Sequence, residues 1–276
     1  MPRITIILLH NRGRFKVNVL ITGNLGFLGK HLTRQLDKLA ISWKGYDLPE
    51  HDVLNITEQD LKTVTHVVHL AAMKGIPQCE SETVKAVETN ILGTAKLLQA
   101  CVNAKVEHFI YASTWAVNSH NLKAYDVTKK AAEDLVRHYV QRKGLNGCIL
   151  RMATFYGKGM AGDGVINRFI EAKKNNQVAT IYGDGKETRQ YTHVTDVVNA
   201  LVLLLHQTPT SIKPYVITAN EHITVEKLAQ KIGVSYKHEK EVFEPENYQT
   251  LNSKRLELLG WLQTVSLEEG LKEMMS

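Results

Sequence analysis

The stretch that most constrains the fold runs from Lys16 to His31 and reads KVNVLITGNLGFLGKH. Its first part, residues 17–21, is apolar and rich in β-branched side chains, as expected of a strand buried in a parallel sheet. Glycines follow at positions 23, 26 and 29, and leucines then recur with helical spacing. A strand, a glycine-rich turn and a helix in this order predict the opening unit of a dinucleotide-binding α/β fold.

The glycines of this turn have separate physical roles in such a unit. One allows the tight turn, one lets the backbone approach a pyrophosphate, and one lets the helix pack closely on the strand. Unpaired N–H groups and the positive end of the helix dipole would then hold the phosphates. An ordinary glycine-rich turn is the alternative, but the flanking strand and helix favour a nucleotide site. The residues predicted to bind the cofactor in this turn are Gly23, Asn24, Leu25, Gly26, Phe27, Leu28 and Gly29.

The next predicted strand covers residues 41–46, and an acidic residue follows it directly. Asp47 follows the glycines by about 20 residues, which is where an acidic side chain bonds the adenosine ribose hydroxyls. Its negative charge would repel a 2′-phosphate, so the sequence favours NAD over NADP. A solvated loop aspartate is the alternative reading.

Strands continue to alternate with helices along the first half of the chain. The predicted strands lie at 64–70, 106–112 and 147–153, and the predicted helices at 80–104 and 126–142. Alternation of this kind predicts a parallel sheet covered on both faces and joined by right-handed crossovers. The small residues Ala71 and Ala72, which follow the third strand, would let a cofactor lie flat against its end.

The pattern changes after Tyr156 and Gly157. Predicted helices at 165–174, 196–205 and 225–232 alternate with strands at 178–182 and 215–218, and two short helices finish the chain, the last one started by a Ser266–Glu269 capping box. The fold class predicted is therefore α/β, a doubly wound Rossmann sheet with a smaller interwoven C-terminal α/β substrate lobe. We assign 1–16 to an N-terminal extension, 17–153 to the NAD-binding domain, 178–206 largely to the same domain, and 154–177 with 207–276 to the lobe.

The composition excludes several classes of protein. The chain of 276 residues carries a net charge of +6, but its lysines and arginines are scattered, which argues against a nucleic-acid partner. No apolar run approaches the ~20 residues of a membrane span. Three widely spaced cysteines indicate a reducing compartment, so we expect a cytoplasmic protein. The twelve histidines show no metal-ligand spacing, and we predict no metal site.

Tyr125 and Lys129 are separated by one helical turn at the start of a predicted helix. A lysine ammonium near the phenol favours the phenolate and lowers the pKa of the tyrosine. A phenol tuned in this way can act as general base or acid on an alcohol. Ser113 and Thr114, at the end of the fourth strand, offer a hydroxyl that could bond the same substrate oxygen.

At this point the chain resembles the extended short-chain dehydrogenase/reductases, and within them the NAD-dependent epimerase/dehydratase group that acts on nucleotide sugars. The resemblance extends from about residue 17 to the C-terminus. The motifs that carry it, in chain order, are TGNLGFLG at 22–29, HLAA at 69–72, Asn90 with Gly93-Thr94, YAST at 111–114, YDVTK at 125–129, LRMATFYG at 150–157 and RQYTHVTD at 189–196.

The resemblance implies roles for residues that match the family motifs. It makes Tyr125 the catalytic acid/base, with Thr114 as its hydroxyl helper and Lys129 holding the nicotinamide ribose. The further cofactor-binding residues that it implies are Asp52 and Val53 beside the adenine, and Leu70, Ala71, Ala72 and Asn90. It implies that Arg189 binds the nucleotide phosphates and that Thr154, where many members have asparagine, contacts the substrate.

The family mechanism proceeds through a transient keto sugar. In dehydratases an acidic pair follows the helper threonine, but Trp115 and Ala116 stand at those positions here, which disfavours water elimination. The first expectation is therefore an NAD-dependent nucleotide-sugar epimerase. Only ten residues separate Thr114 from Tyr125, fewer than is usual in related epimerases. An NAD(P)-dependent reductase or dehydrogenase of a keto sugar or another small carbonyl compound is therefore the alternative.

A third reading belongs to another class, a nucleotide-sensing protein that has lost catalysis. Such relatives typically lack the tyrosine or the lysine, and both are present here. The resemblance also implies a homodimer, in which helices 80–104 and 126–142 pair across a two-fold axis. The partners expected are thus a nucleotide sugar and a second copy of the chain.

Overall fold

The computed structural model describes residues 17–162, 164–207, 211–240 and 251–276. The predicted N-terminal extension, 1–16, lies outside the described residues.

The described residues form twelve strands, most of them short. The strands are β1 (Asn18–Thr22), β2 (Ser42–Tyr46), β3 (His66–His69), β4 (His108–Thr114), β5 (Gly147–Met152), β6 (Phe155–Tyr156), β7 (Ala179–Tyr182), β8 (Thr188–Arg189), β9 (Thr192–His193), β10 (Tyr215–Ile217), β11 (Ile223–Thr224) and β12 (Tyr236–Glu239).

Ten α-helices accompany them. They are α1 (Phe27–Lys38), α2 (Ile76–Ser81), α3 (Thr83–Val87), α4 (Thr94–Asn103), α5 (Ala124–Arg142), α6 (Val165–Lys174), α7 (Val194–Leu205), α8 (Val225–Ile232), α9 (Lys254–Glu257) and α10 (Leu267–Met275). Three 3₁₀ helices cover Val53–Asn55, Glu58–Leu61 and Trp115–Asn118, and a π-helical turn covers Glu88–Gly93.

Six strands make one parallel sheet in the order β10-β5-β4-β3-β1-β2. The chain reverses its direction of progress across the sheet at β1, which has β2 on one side and β3 on the other. Such a switch point opens a crevice at the carboxyl ends of the strands, and ligands of doubly wound sheets bind there. The predicted parallel, doubly wound sheet is confirmed.

Apolar side chains cover both faces of this sheet. On one face α1 and α7 pack together, and α7 is almost entirely buried because its sequence is apolar apart from Thr195, Asp196 and Asn199. On the other face α4 and α5 bury residues such as Leu97, Leu98 and Val136. The sheet is thus held between two helical layers, which fixes its carboxyl edge relative to α5.

A separate apolar cluster forms the C-terminal lobe, from α6, β7, α8 and α10. The observed division of the chain differs from the predicted one at three places. Strand β7, which we expected in the first domain, pairs with β12 in the lobe. Strand β10 instead extends the central sheet beside β5, and the fully buried Trp261 packs against the α1–α7 face. The predicted boundaries assumed that segments close together in the sequence belong to the same domain. The structure instead pairs β10 with β5 at the edge of the central sheet.

The predicted helix at 80–104 is also wrong, because it is interrupted twice. Glu82 leaves helical geometry between α2 and α3 (φ −125°, ψ 49°), and the π-helical turn precedes α4. A β-carbon on Gly93 would lie 2.6 Å from Cγ1 of Val53, so the chain passes too close here for a larger residue. Val84, on the apolar side of this predicted helix, is 74% exposed.

Because two histidines are buried at the amino ends of central strands, we expect the folded protein to lose stability in acid. Burial, with a smaller effect of the neighbouring His206, lowers the pKa of His66 to about 4, and burial with a smaller effect of His66 lowers the pKa of His108 to about 4. Unfolded histidine has a pKa of about 6.5, so stability is complete above that pH and falls as the pH drops from about 6.5 to about 4. Each fully buried histidine contributes up to about 1.4 kcal/mol per pH unit in that window.

We therefore expect His108→Phe to lose less stability than the wild type between about pH 7 and about pH 5. Urea unfolding at the two pH values measures the difference. His138→Phe, at an exposed position on α5, is the matched control and should retain the wild-type pH dependence. Equal acid sensitivity of His108→Phe and the wild type would contradict the assignment.

Candidate active site

Two adjoining crevices open at the carboxyl edge of the central sheet. The larger has a volume of about 1220 Å³ and follows the β1–α1 turn, the end of β2 and the end of β3. The smaller, of about 660 Å³, lies between the end of β4, the start of α5 and the C-terminal lobe. Three residues line both crevices: Lys74, Tyr125 and Met152. Tyr125 therefore stands where the two spaces meet.

The glycine-rich turn forms one end of the larger crevice. Gly23 has φ +73°, and a β-carbon there would lie 2.7 Å from the backbone nitrogen of Ala71. A β-carbon on Gly29 would lie 2.3 Å from the carbonyl oxygen of Gly23, so only glycine allows α1 to start this close to β1. Gly26 is the N-cap of α1, and no side chain caps the helix. The turn thus leaves backbone amides at a helix N-terminus, the donor set that holds a pyrophosphate.

Two acidic side chains, Asp47 and Asp52, line the same crevice. The Asp47 carboxylate accepts hydrogen bonds from the backbone nitrogens of Leu25, at 2.8 Å, and Leu48, at 2.9 Å. This places the carboxylate beside the glycine turn, where the sequence predicts a ribose contact. Asp52 accepts from the backbone nitrogen of Leu54 at 2.9 Å, and Val53 packs on Gly93.

Most of the predicted cofactor-binding residues line this larger crevice. Those that do are Gly23, Leu25, Gly26, Phe27, Leu28, Gly29, Asp47, Asp52, Val53, Leu70, Ala71, Ala72, Tyr125 and Lys129. Asn24 and Asn90 are not among the lining residues. The Asn24 side chain packs against Gly45 of β2. Asn90 is 1% exposed and bridges backbone atoms of Met73 to the hydroxyl of Thr128. The structure thus gives Asn90 a positioning role between β3 and α5 and does not support direct contact with a cofactor.

A chain of hydrogen bonds crosses the protein beneath the larger crevice. The imidazole of His69 contacts the Thr22 hydroxyl through Nδ1, at 2.6 Å, and the Thr94 hydroxyl through Nε2, at 2.9 Å. Thr22 also accepts from the backbone nitrogen of Ala71, and Thr94 donates to the carbonyl oxygen of Asn90. Burial, together with a smaller effect of the nearby Lys129, lowers the pKa of His69 to about 3.

Lys129 is almost completely buried, at 3% exposure. Its ammonium donates a hydrogen bond to the carbonyl oxygen of Ala112 at 2.7 Å and lies 4.2 Å above the centre of the Tyr111 ring. Burial lowers the pKa of Lys129 to about 7, and the negative charge of Glu133 opposes that shift. The lysine is therefore held against the end of β4, beside the crevice that it lines.

The hydroxyl of Tyr125 has a raised pKa in the protein alone. Burial raises it most, and the neighbouring Asp126 and Cys79 raise it further. The sequence predicted the opposite direction, because the spacing of Tyr125 and Lys129 reveals the lysine but not the burial of the ring or the carboxylate next to it. A positive charge brought by a ligand would lower the tyrosine pKa again.

The two hydroxyls at the end of β4 point to different surroundings. Ser113 is 1% exposed and donates to the carboxylate of Glu133 at 2.6 Å. Thr114 lines the smaller crevice and accepts from the backbone nitrogen of Ala116 at 3.2 Å. Thr114 is therefore the hydroxyl of the pair that a substrate in this crevice can reach.

The predicted substrate-binding residues Thr114, Thr154 and Arg189 all line the smaller crevice. Arg189 forms an ion pair with Glu187 at 2.5 Å, and its strand β8 pairs with β11. Sequence reasoning missed the other polar residues of this wall, because most of them lie outside the longer helices and strands, where no periodic spacing marks them. They are Lys74, Asn118, Ser119, His120, Asn121, Asp126, Thr188, Gln190 and His222.

Comparison with known proteins agrees with this arrangement. The family model described as the NAD dependent epimerase/dehydratase family matches residues 19–218. A dTDP-D-glucose 4,6-dehydratase of Dictyostelium discoideum is 31% identical over 246 residues, which are 70% of this chain and 56% of the relative. A putative UDP-glucose 4-epimerase of Methanocaldococcus jannaschii is 26% identical over 94% of this chain and 97% of its own.

Solved structures show the same fold. MoeE5, in complex with UDP-glucose and NAD, superposes with a TM-score of 0.83 at 29% identity, over 94% of this chain and 97% of that protein. The residues matched by the family model include the glycine turn, the central sheet and the segment with Tyr125 and Lys129. The chain therefore belongs to the NAD-dependent epimerase/dehydratase family of enzymes, and its cofactor is NAD.

Proposed function

We propose that the protein is a nucleotide-sugar epimerase that works through a transient keto sugar. The observation that carries the proposal is the position of Tyr125, which lines both the cofactor crevice and the smaller crevice beside it. An acid/base group at that junction can reach a hydroxyl whose carbon faces the cofactor. Relatives of the chain include a putative UDP-glucose 4-epimerase, which supports a nucleotide sugar as the substrate.

The residues of the larger crevice fit NAD. The uncapped start of α1 would hold the pyrophosphate, Asp47 the adenosine ribose, and Lys129 the nicotinamide ribose. When bound, NAD supplies reversible hydride acceptance, which converts the sugar alcohol into a ketone and back.

Tyr125 performs the proton transfer in this proposal. Its phenolate takes the proton of the sugar hydroxyl as the carbon–oxygen double bond forms, and the phenol returns that proton when the alcohol forms again. Thr114 donates a hydrogen bond to the same oxygen and orients it. Lys129, one helical turn after Tyr125 on the same helix, would stabilise the phenolate through its positive charge.

The wall that follows Thr114 supports an epimerase over a dehydratase. Trp115 and Ala116 line the smaller crevice, and neither side chain can transfer a proton to eliminate water. The second candidate, a reductase of a keto sugar or of another small carbonyl compound, is favoured by the short segment between Thr114 and α5. Isomerisation of UDP-, GDP- or dTDP-sugars without net change in NADH would support the epimerase, whereas stoichiometric NADH consumption would support the reductase.

Replacing Tyr125 with phenylalanine tests the proton-transfer role. We expect kcat to fall about 100- to 10,000-fold, because the variant retains the ring but has no proton donor or acceptor. Coupled assay of sugar-nucleotide isomerisation gives kcat, and fluorescence titration with NADH checks that the cofactor still binds.

Tyr139→Phe is the matched control for this change. Tyr139 lies on the same helix, and its hydroxyl bonds Gln99 away from both crevices. Its kcat should remain within about twofold of the wild type. Equal activity of Tyr125→Phe and the wild type would instead favour the nucleotide-sensing alternative.

We propose a homodimer as the assembly. Helix α3 and the π-helical turn pack along α5, and this surface exposes Val84, Val87, Leu92 and Val127, at 74%, 41%, 46% and 46%. Apolar side chains on adjacent helices that remain exposed in the monomer are typical of a helical interface.

Leu92→Glu should dissociate the dimer, because it places a charge in the apolar surface at a residue that lines neither crevice. Sedimentation at micromolar protein would report the change of mass. Leu258→Glu, at an 80% exposed position on a different surface, should leave the mass unchanged. A monomeric wild type would refute the assembly.

A further inference from the structure

A carboxylate with no exposed surface lies behind the proposed active site. Glu133 is 0% exposed and belongs to α5, one turn after Lys129. It accepts hydrogen bonds from the Ser113 hydroxyl at 2.6 Å, from Nε and Nη2 of Arg151 at 2.8 and 2.7 Å, and from Nη2 of Arg137 at 2.8 Å. A buried charge is tolerated only when its partners satisfy it, and these four bonds do so.

Three of these bonds join elements that carry the proposed chemistry. Ser113 precedes Thr114 on β4, and Arg151 is its partner in the parallel register of β4 and β5. The two bonds from Arg151 form a bidentate pair with the carboxylate, which fixes distance and orientation at once. The end of β5 therefore cannot rotate relative to α5 without breaking the pair, and the Ser113 bond holds the end of β4 to the same carboxylate.

Arg151 also reaches the wall of the substrate crevice. Its Nη1 donates to Oδ1 of Asn118 at 3.1 Å, and Nδ2 of Asn118 donates to the carbonyl oxygen of Trp115 at 3.1 Å. Trp115 and Asn118 line the smaller crevice. A continuous path of hydrogen bonds thus joins Glu133 to the 3₁₀ helix that forms this wall.

We propose that Glu133 is a positioning residue that locks the Lys129 helix, the Thr114 strand end and the Trp115–Asn118 wall into one unit. The proposal rests on the proposed function, because Lys129 and Thr114 are assigned there. Glu133 itself touches neither crevice, so it acts through Arg151, Ser113 and its charge.

The charge of Glu133 has a measurable effect on Lys129. The groups that face the lysine ammonium are Glu133 on its own helix, Tyr111 of β4, Tyr125, and His69 of β3. Among these, Glu133 carries the negative charge that favours the charged lysine. Its removal leaves the carbonyl of Ala112 and the ring of Tyr111 as the ammonium's stabilising partners, so the pKa of Lys129 should fall.

The test is NMR titration of the lysine side-chain amines in the full chain without substrate, with Lys129→Arg to assign the Lys129 signal. We expect Glu133→Gln to lower the pKa of Lys129 by about one unit or more, as a carboxylate about one helical turn away requires. Asp134→Asn is the matched control on the next residue of α5, where a 62% exposed carboxylate pairs with Arg137. It should leave the titration unchanged.

Steady-state kinetics of an Arg151 variant test whether the hydrogen bonds of Arg151 hold the substrate wall in place. Arg151→Lys keeps a positive charge but loses the bidentate pair and the reach to Asn118. We expect KM for the sugar nucleotide to rise about tenfold, the cost of a charged hydrogen bond, while the Lys129 titration stays as in the wild type.

Two results would overturn the proposal. One is a folded Glu133→Gln whose Lys129 titrates as in the wild type, and the other is an Arg151→Lys variant with wild-type KM. If Glu133→Gln does not fold, the Arg151→Lys kinetics decide. Since the titration needs no substrate, its failure is distinct from failure of the proposed function, which would appear as an inactive wild type.

Discussion

The arrangement around the crevices depends on one buried cation. The Lys129 ammonium is removed from water, and the protein satisfies it with the carbonyl of Ala112, the face of Tyr111 and the charge of Glu133. Each of these partners belongs to an element whose position must be held closely, because a buried ammonium without partners would lose its proton. The packing of α5 on the ends of β4 and β5 therefore also determines the charges and dipoles around the proposed acid/base, Tyr125.

Local backbone requirements explain why the glycine turn could be predicted from the sequence. Gly23 needs a positive φ and Gly29 needs to approach Gly23 closely. Both requirements are met by glycine, so they are visible in the sequence. The spacing of Tyr125 and Lys129 is likewise a property of one helix. Each of these features lies within one strand–turn–helix unit, where sequence distance and spatial distance are nearly the same.

Features that depend on distant parts of the chain could not be predicted in this way. The choice between Ser113 and Thr114 follows from the location of Glu133, twenty residues away on another element. The raised pKa of Tyr125 follows from burial that no spacing reveals. The place of β10 in the central sheet was settled by pairing with β5, and the loop residues of the substrate wall are brought together only by the complete fold.

The hydrogen bonds of His69 have a single direction. The Thr94 hydroxyl donates its only hydrogen to the carbonyl oxygen of Asn90, so it must accept a hydrogen bond from Nε2 of the imidazole. Nδ1 then carries no hydrogen, so it accepts a hydrogen bond from the Thr22 hydroxyl. The oxygen of that hydroxyl in turn accepts one from the backbone N–H of Ala71. The ring is thus fixed as the neutral Nε2–H tautomer. A proton added at Nδ1 would force the Thr22 hydroxyl to turn its hydrogen away and accept instead, so protonation of this ring would reverse that bond while the backbone pairing of β1 and β3 holds the floor of the cofactor crevice.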